Sequence, residues 1–321
     1  MKSIGPVTIG VVVLAAALFG WATVASYRED DMFQDKDNMK RGSKLPVIWI
    51  YLNNSDVNSR SWYDFMGRSS RVINLPFLNL CYETIVEHTK KHYRVEVISG
   101  LSDLAGRLGG WEALPEPLRN PETFVNEPEL NWIRAAVLAK FGGLWVSPST
   151  LWIRDFKPLP KDKVVFFGMN VEETYATKTS VPALDVIWSP KPEHPVWVEW
   201  EQNVRSRLNS RIGGAEFRHD ELADFENTLK KYPEQIQVVR LPEISRKGPN
   251  RRRIELEDLI TTTGSAHASF DIPADAVYLP IPLDELMQRE KFSWFLRMSE
   301  DQILSSDMVI SHLFRKALVL P

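Results

Sequence analysis

Short apolar runs, each ended by Gly, Pro or Asn, recur along this chain with stretches of helical period between them. Leu45-Pro46-Val47-Ile48-Trp49-Ile50-Tyr51-Leu52 is a continuous apolar run that stops at Asn53-Asn54, as expected of a strand buried on both faces. A helical stretch over Asn79 to Lys91 follows. Tyr93-Arg94-Val95-Glu96-Val97-Ile98 then alternates as a second strand before a Ser-Gly turn. Strand, helix and strand at this spacing predict a βαβ unit, whose crossover makes the sheet parallel and the connection right-handed. From Gly109 to Pro128 the chain is rich in Gly and Pro and predicts a long surface loop, of a kind that often frames a site.

The next helix is the best defined. Asn126-Glu127-Pro128 supplies start signals, Leu130, Ile133, Val137, Leu138 and Phe141 share one face, and Gly142-Gly143 stops it. Leu144-Trp145-Val146 leads as a strand into Ser147-Pro148-Ser149-Thr150, with Leu151-Trp152-Ile153 after it. Further strands are expected at Val164 to Phe167, Val186 to Trp188 and Ile236 to Val239. Helices are expected at Pro195 to Leu208, Glu221 to Lys231, Leu283 to Arg297 and Asp301 to Leu318. There is no internal repeat, and the alternation predicts an α/β fold.

The amino-terminal pattern differs from all of this. Ile4 to Tyr27 carries no charge, and about 20 apolar residues in helix suffice to cross a bilayer. Trp21 and Tyr27 near its far end suit a membrane interface. A buried core helix would want a polar face, which this run lacks. A cleaved signal peptide could end at Thr23-Val24-Ala25, but the apolar stretch exceeds the roughly 7–15 residues of a signal core. The expectation is a transmembrane anchor over residues 1–27, a charged stalk over 28–44 and one soluble domain over 45–321, of roughly 280 residues, enough for a hydrophobic core. Arg28, Lys36, Lys40, Arg41 and Lys44 after the span lean toward a cytoplasmic domain, diluted by Glu29, Asp30, Asp31, Asp35 and Asp37. Asn53-Asn54-Ser55 would accept a glycan were the domain lumenal. The side of this single-pass membrane protein stays open: the cytoplasmic face in a bacterium, the Golgi or ER lumen in a eukaryotic or viral host.

Composition narrows the function classes. A formal net charge of -3 and a pI near 6.1 argue against a general nucleic-acid binder. The single cysteine, Cys81, excludes an intrachain disulfide and a zinc site built from several thiolates.

The stretch Asn131-Trp-Ile-Arg134-Ala-Ala-Val-Leu-Ala-Lys-Phe-Gly142-Gly143-Leu-Trp145-Val-Ser147-Pro-Ser149 resembles the core motif of the capsular polysaccharide synthesis proteins and related Asp-X-Asp sugar-transferring enzymes. Val47-Ile48-Trp49 and, more weakly, Val186-Ile187-Trp188-Ser189-Pro190 also resemble segments of that family, so the likeness spans Leu45 to Val198. It implies a glycosyltransferase domain of the GT-A type, a single Rossmann-like unit that transfers a sugar from a nucleotide-sugar donor to a glycan or glycolipid acceptor. On the matching positions it implies donor binding by Asn131, Arg134, Gly142, Gly143, Ser147 and Ser149.

The chemistry of the motif is physical. A strand ending in short polar side chains delivers them to the carboxyl edge of a parallel sheet, where ligands bind. Two carboxylates there would hold Mn2+ or Mg2+ against the diphosphate. Here Ser147 and Ser149 replace the acids and Asn131 replaces the helix Asp, and hydroxyls are weak ligands for a hard cation. No metal ligand is therefore assigned. Three readings stay open: transfer without a metal, a metal held by other acids such as Asp155 or Asp185, and a fold that has lost catalysis. The forked guanidinium of Arg134 would contact a phosphate, order the motif loop, or form a surface salt bridge. Gly142 and Gly143 also read as plain helix-stop residues, and Trp145 as core. Asp185, before a strand, is the candidate general base. Arg246-Lys247-Gly-Pro-Asn-Arg251-Arg252-Arg253 could attract an anion. Asp307 and Ser311 are expected on one face of the last helix with His312 beside them, where His312 could touch a nucleotide or a metal.

Overall fold

The computed structural model describes residues 45–52, 75–121, 123–173, 178–210, 216–239, 254–264 and 276–319. The apolar run Ile4 to Tyr27, the stalk, the Asn53-Asn54-Ser55 triplet and the basic segment Arg246 to Arg253 lie outside these residues. Among the described residues no helix is long and apolar enough to cross a membrane.

Six strands form the central sheet. Five are β1 (Val47–Leu52), β2 (Arg94–Ser99), β3 (Gly143–Val146), β5 (Val164–Phe167) and β9 (Ile236–Val239); the sixth is β8 (Val186–Ser189). Their spatial order is β2-β1-β3-β8-β5-β9. β1 is parallel to both β2 and β3, with Ile48 opposite Val95 and Leu144. The expected parallel βαβ unit is present, with α1 (Pro76–Thr89) as its crossover. β8 departs from it, running antiparallel to both β3 and β5. The cause is the connection: β5 turns at Gly168 into a hairpin, β6 (Met169–Glu173) and β7 (Lys178–Pro182), and re-enters β8 without a crossover helix. Only a helix-length crossover returns a chain parallel to itself.

Alternation along β1 explains the layers. Ile48, Ile50 and Leu52 face one core with α1, whereas Trp49 and Tyr51 face a second core with α2 (Gly100–Leu108), α3 (Glu127–Phe141), α4 (Pro195–Asn209) and α5 (Glu216–Lys231). Trp132, Trp145, Trp197 and Trp200 are fully buried in the second core and Trp152 in the first. Truncating any one of these rings would cost about 3–5 kcal/mol. α2 was not expected, since Ser99-Gly100 reads as a turn; Gly100 adopts φ 76° and the chain continues directly into helix.

The carboxyl-terminal part packs against α1 on the first face. It holds α6 (Leu256–Leu259), β10 (Tyr278–Pro280), α7 (Leu283–Gln288), α8 (Ser293–Leu296), α9 (Glu300–Ser305) and α10 (Val309–Ala317). Two long helices were expected there, and each is broken. The first opens at Arg289, in extended backbone, where the guanidinium pairs with Glu257 and Glu285. The second opens at Asp307-Met308, where Met308 bridges to Thr262 and the Asp307 carboxylate accepts from Thr263 Oγ1 at 2.9 Å. β10 pairs antiparallel with β4 (Thr150–Trp152).

Buried His194 precedes α4, and among the described residues its Nδ1 has no hydrogen-bond partner. Burial, with the Lys191 ammonium as a second cause, holds the imidazole below the usual histidine range. Below about pH 6.5 the unfolded chain takes up this proton and the folded one does not. Stability from this group is therefore complete above that pH and is lost as pH falls toward the lower folded value. Melting temperature followed from pH 8 to 5 should fall more steeply for the native protein than for His194→Gln; equal slopes would rule out this origin.

Candidate functional site

The order β2-β1-β3 places a switch point between β1 and β3, because the chain leaves β1 to one side for β2 and crosses to the other for β3. In open α/β sheets ligands bind outside the carboxyl ends of the strands at such a point. The residue that emerges there from β3 is Ser147.

The Ser147-Pro148-Ser149 turn is fixed from three sides. The Ser147 N–H donates to the Asp185 carbonyl at 2.7 Å, Thr150 Oγ1 donates to the Ser147 carbonyl at 2.8 Å, and the Ile281 N–H donates to the Ser149 carbonyl at 2.8 Å. Ser149 is buried, while Ser147 and Asp185 are half-buried. The antiparallel course of β8 is what brings Asp185 here: Val186 pairs with Val146, so the residue before one strand meets the residue after the other.

α3 runs opposite to β3, so its first turns rise toward the same edge. Asn126 and Glu129 form a capping box, and Pro128 occupies the first turn, where a missing N–H costs nothing. Asn131 and Arg134 are one turn apart, both buried, and Arg134 donates to Asn131 Oδ1. The Arg134 guanidinium also lies 3.7 Å from the Glu127 carboxylate and 5.5 Å from the centre of the Trp145 ring. A cation over an indole face is attracted to it. Arg134 is thus buried between the first turns of α3 and the Trp145 ring of β3 and is not a surface residue. Trp145 is core, as expected.

Gly142 and Gly143 stand at the other end of β3. Gly143 pairs with Ser189 at the amino edge of the sheet, so the strand itself separates both glycines from Ser147. A Cβ on Gly142 would lie 2.8 Å from the Lys191 carbonyl carbon, and one on Gly143 would lie 2.5 Å from the Val47 oxygen. Close backbone approach accounts for both.

The other candidates lie elsewhere in the fold. Asp155 accepts from His88 at 3.2 Å and pairs with Lys91 at 2.5 Å; these two, Lys91 first, hold its carboxyl below the usual range. His88 Nε2 lies 3.0 Å from the Ala317 carbonyl, so this cluster joins the ends of α1 and α10. His312 pairs with Asp307 at 2.8 Å on the surface, and this contact, followed by Thr263, lowers the Asp307 pKa. Ser311 is buried and bonds Ser306 instead, at 2.7 Å. Among the described residues no group of three His, Cys, Asp or Glu side chains could hold a metal.

No family model and no curated protein matches the chain. Among solved structures it is similar to a transferase bearing two cysteine-to-serine substitutions, with 11% identity, a TM-score of 0.31, and 58% of this chain and 86% of that chain covered. It is also similar to the glycosyltransferase GlyE of Streptococcus pneumoniae TIGR4, with 8% identity and a TM-score of 0.37, over 87% of this chain and 61% of that chain.

Sequence reasoning missed Thr150, whose hydroxyl closes the serine turn and also accepts from Trp152 Nε1 at 3.1 Å. It missed the β6–β7 hairpin as well, which leaves and rejoins the sheet at the carboxyl edge through Gly168 and Ala183. Gly168, between Phe167 and Met169, was the available signal for that turn.

Proposed function

We propose that this protein is a membrane-anchored glycosyltransferase that moves a sugar from a nucleotide-sugar donor to a glycan or glycolipid acceptor. The observation that carries the reading is the meeting of the Ser147-Pro148-Ser149 turn, Asp185 and the Asn131–Arg134 end of α3 at one switch point. The motif resemblance falls on that same helix and strand. In this reading the donor diphosphate lies against the serine turn, whose hydroxyls donate to it, and Arg134 keeps the turn and α3 in register. Asp185 accepts the proton of the attacking acceptor hydroxyl. The apolar run Ile4 to Tyr27 holds the domain at the membrane. The family pattern would place Mn2+ or Mg2+ here; two hydroxyls and one carboxylate are a poor set for it, and no step is assigned to a metal.

A second reading is favoured by the same two serines. A domain that exchanged both acids for hydroxyls could bind a glycan or a partner without turnover. One experiment tests both: incubating the full chain with a panel of nucleotide sugars, with and without Mn2+, and following donor binding, hydrolysis and transfer. Transfer to a glycan acceptor is the expected result. Absence of binding to every donor at millimolar concentration sinks the enzyme reading, and glycan binding without donor turnover selects the second.

A further inference from the structure

The amino end of α3 and the segment that leads into it are both fastened by one line of side chains on α4. Glu201, Arg205 and Asn209 are four residues apart on that helix and so follow one another along a single face. Asn209 Oδ1 accepts from the Glu116 N–H at 2.9 Å, and Arg205 Nη2 donates to the Ala113 carbonyl at 2.7 Å. Glu201 Oε1 accepts from Trp132 Nε1 at 2.7 Å and from Arg205 Nε at 2.8 Å. The Arg205 guanidinium also lies 5.0 Å from the centre of the Trp132 ring. Arg205 therefore joins α4, the segment before α3, and α3 itself.

Apolar burial alone would not do the same. Leu114 and Leu118 sink the segment into the second core, and Trp132 is fully buried beside them, but hydrophobic contact has no direction. A tryptophan whose N–H is bonded to a carboxylate and whose ring lies near a guanidinium is fixed in direction as well as depth. Trp132 points about 100° around α3 from Asn131. Any rotation of α3 that broke its bond to Glu201 would carry Asn131 and Arg134 away from the Trp145 side. The ion pair is also sheltered: the Glu201 and Arg205 side chains are 15% and 32% exposed, which favours a forked, charge-assisted contact over a screened surface pair.

We infer that Arg205 and Glu201 are positioning residues for the candidate site, holding α3 at the angle that presents Asn131 and Arg134 toward β3. Their effect on turnover rests on the sugar-transfer reading; their effect on α3 does not. Neither is placed against substrate. Arg207 supplies a contrast on the same helix, because its guanidinium pairs with Asp224 of α5 at 2.5 Å.

The test compares Arg205→Ala, Arg205→Lys, Glu201→Gln and Arg207→Ala in the full chain, by steady-state kinetics with the donor found in the panel and by hydrogen exchange. Arg205→Ala and Glu201→Gln should lower kcat/KM for the donor by roughly 10–100-fold, the scale of a small misplacement of binding groups, with most of the loss in KM. Lys keeps the charge of Arg205 without its fork, so Arg205→Lys should fall between Arg205→Ala and the native protein. A merely structural role would reduce the folded fraction, which lowers kcat and leaves KM alone. Arg207→Ala should keep the native KM. Native KM in both Arg205→Lys and Glu201→Gln, or an equal rise in Arg207→Ala, overturns the inference; the two conservative variants decide if Arg205→Ala does not fold. Should the native chain use no donor, the sugar-transfer reading fails on its own and exchange decides this one. Amides of Glu127 to Arg134 should then exchange faster in Glu201→Gln and Arg205→Lys than in Arg207→Ala, and equal rates overturn it.

Discussion

Gly143→Ala should destabilise the protein by about 3–5 kcal/mol, enough to remove much of the stability of an ordinary domain. Gly143 adopts φ 94°, where a side chain costs roughly 1–2 kcal/mol. Its new Cβ would sit 2.5 Å from the Val47 oxygen and 3.2 Å from Trp49 Nε1. Neither neighbour can yield cheaply. Val47 is strand backbone, and Trp49 Nε1 donates to the Gly142 carbonyl at 2.8 Å inside the core. Relief requires β3 to move off β1, and that pair carries the switch point. Urea denaturation measures the loss, with Gly106→Ala as the control: Gly106 lies in α2, and a Cβ there meets nothing within 4 Å. The control should be neutral or stabilising by up to about 1 kcal/mol. A Gly143→Ala protein as stable as the control would mean that β1 and β3 are not packed as described.

The same pair of glycines marks what could be read from the sequence. As the end of a helix they were legible, because Gly after a periodic run has a local cause. That there are two of them has a non-local cause: Lys191-Pro192 and Val47 both press on this corner. The β1–α1–β2 unit was legible for the same local reason, since a buried strand and an alternating strand flank a helical stretch. The direction of β8 was not, because it depends on a hairpin whose entry from β5 is marked by Gly168 alone. The split helices of the carboxyl-terminal part also follow from distant partners. Glu257 draws Arg289 out of helix, and Thr262 and Thr263 draw out Asp307-Met308. Each of those stretches, read alone, keeps a helical pattern.

At the candidate site the division is sharper. Asn131, Arg134, Ser147 and Ser149 lie in one stretch of sequence, and helix-turn-strand geometry alone brings Arg134 over Trp145. Asp185 lies far along the chain, and only the antiparallel pairing of β8 with β3 sets it beside Ser147. An acid before a strand carries no local mark of function. Its position beside a switch point does, and position comes from topology.

That position makes Asp185→Asn the variant with the largest expected effect on turnover. The amide keeps the size of the carboxylate and one oxygen acceptor but cannot take up a proton at neutral pH. If Asp185 removes the acceptor proton, kcat should fall by roughly 10²–10⁴-fold, the usual contribution of a positioned base. On the proposed reading KM for the donor should change little, because the diphosphate would lie against the serine turn and the lost interaction would belong to the transition state. The fold should survive. Asp185 is half-buried, and the bond that fixes the turn uses its backbone carbonyl, which Asn retains. Steady-state kinetics with the donor found in the panel, beside a melting curve, separates the possibilities. Unchanged kcat excludes Asp185 as the base. A raised KM at constant kcat would move it from proton transfer to donor binding, because that pattern marks an interaction made equally in the ground and transition states.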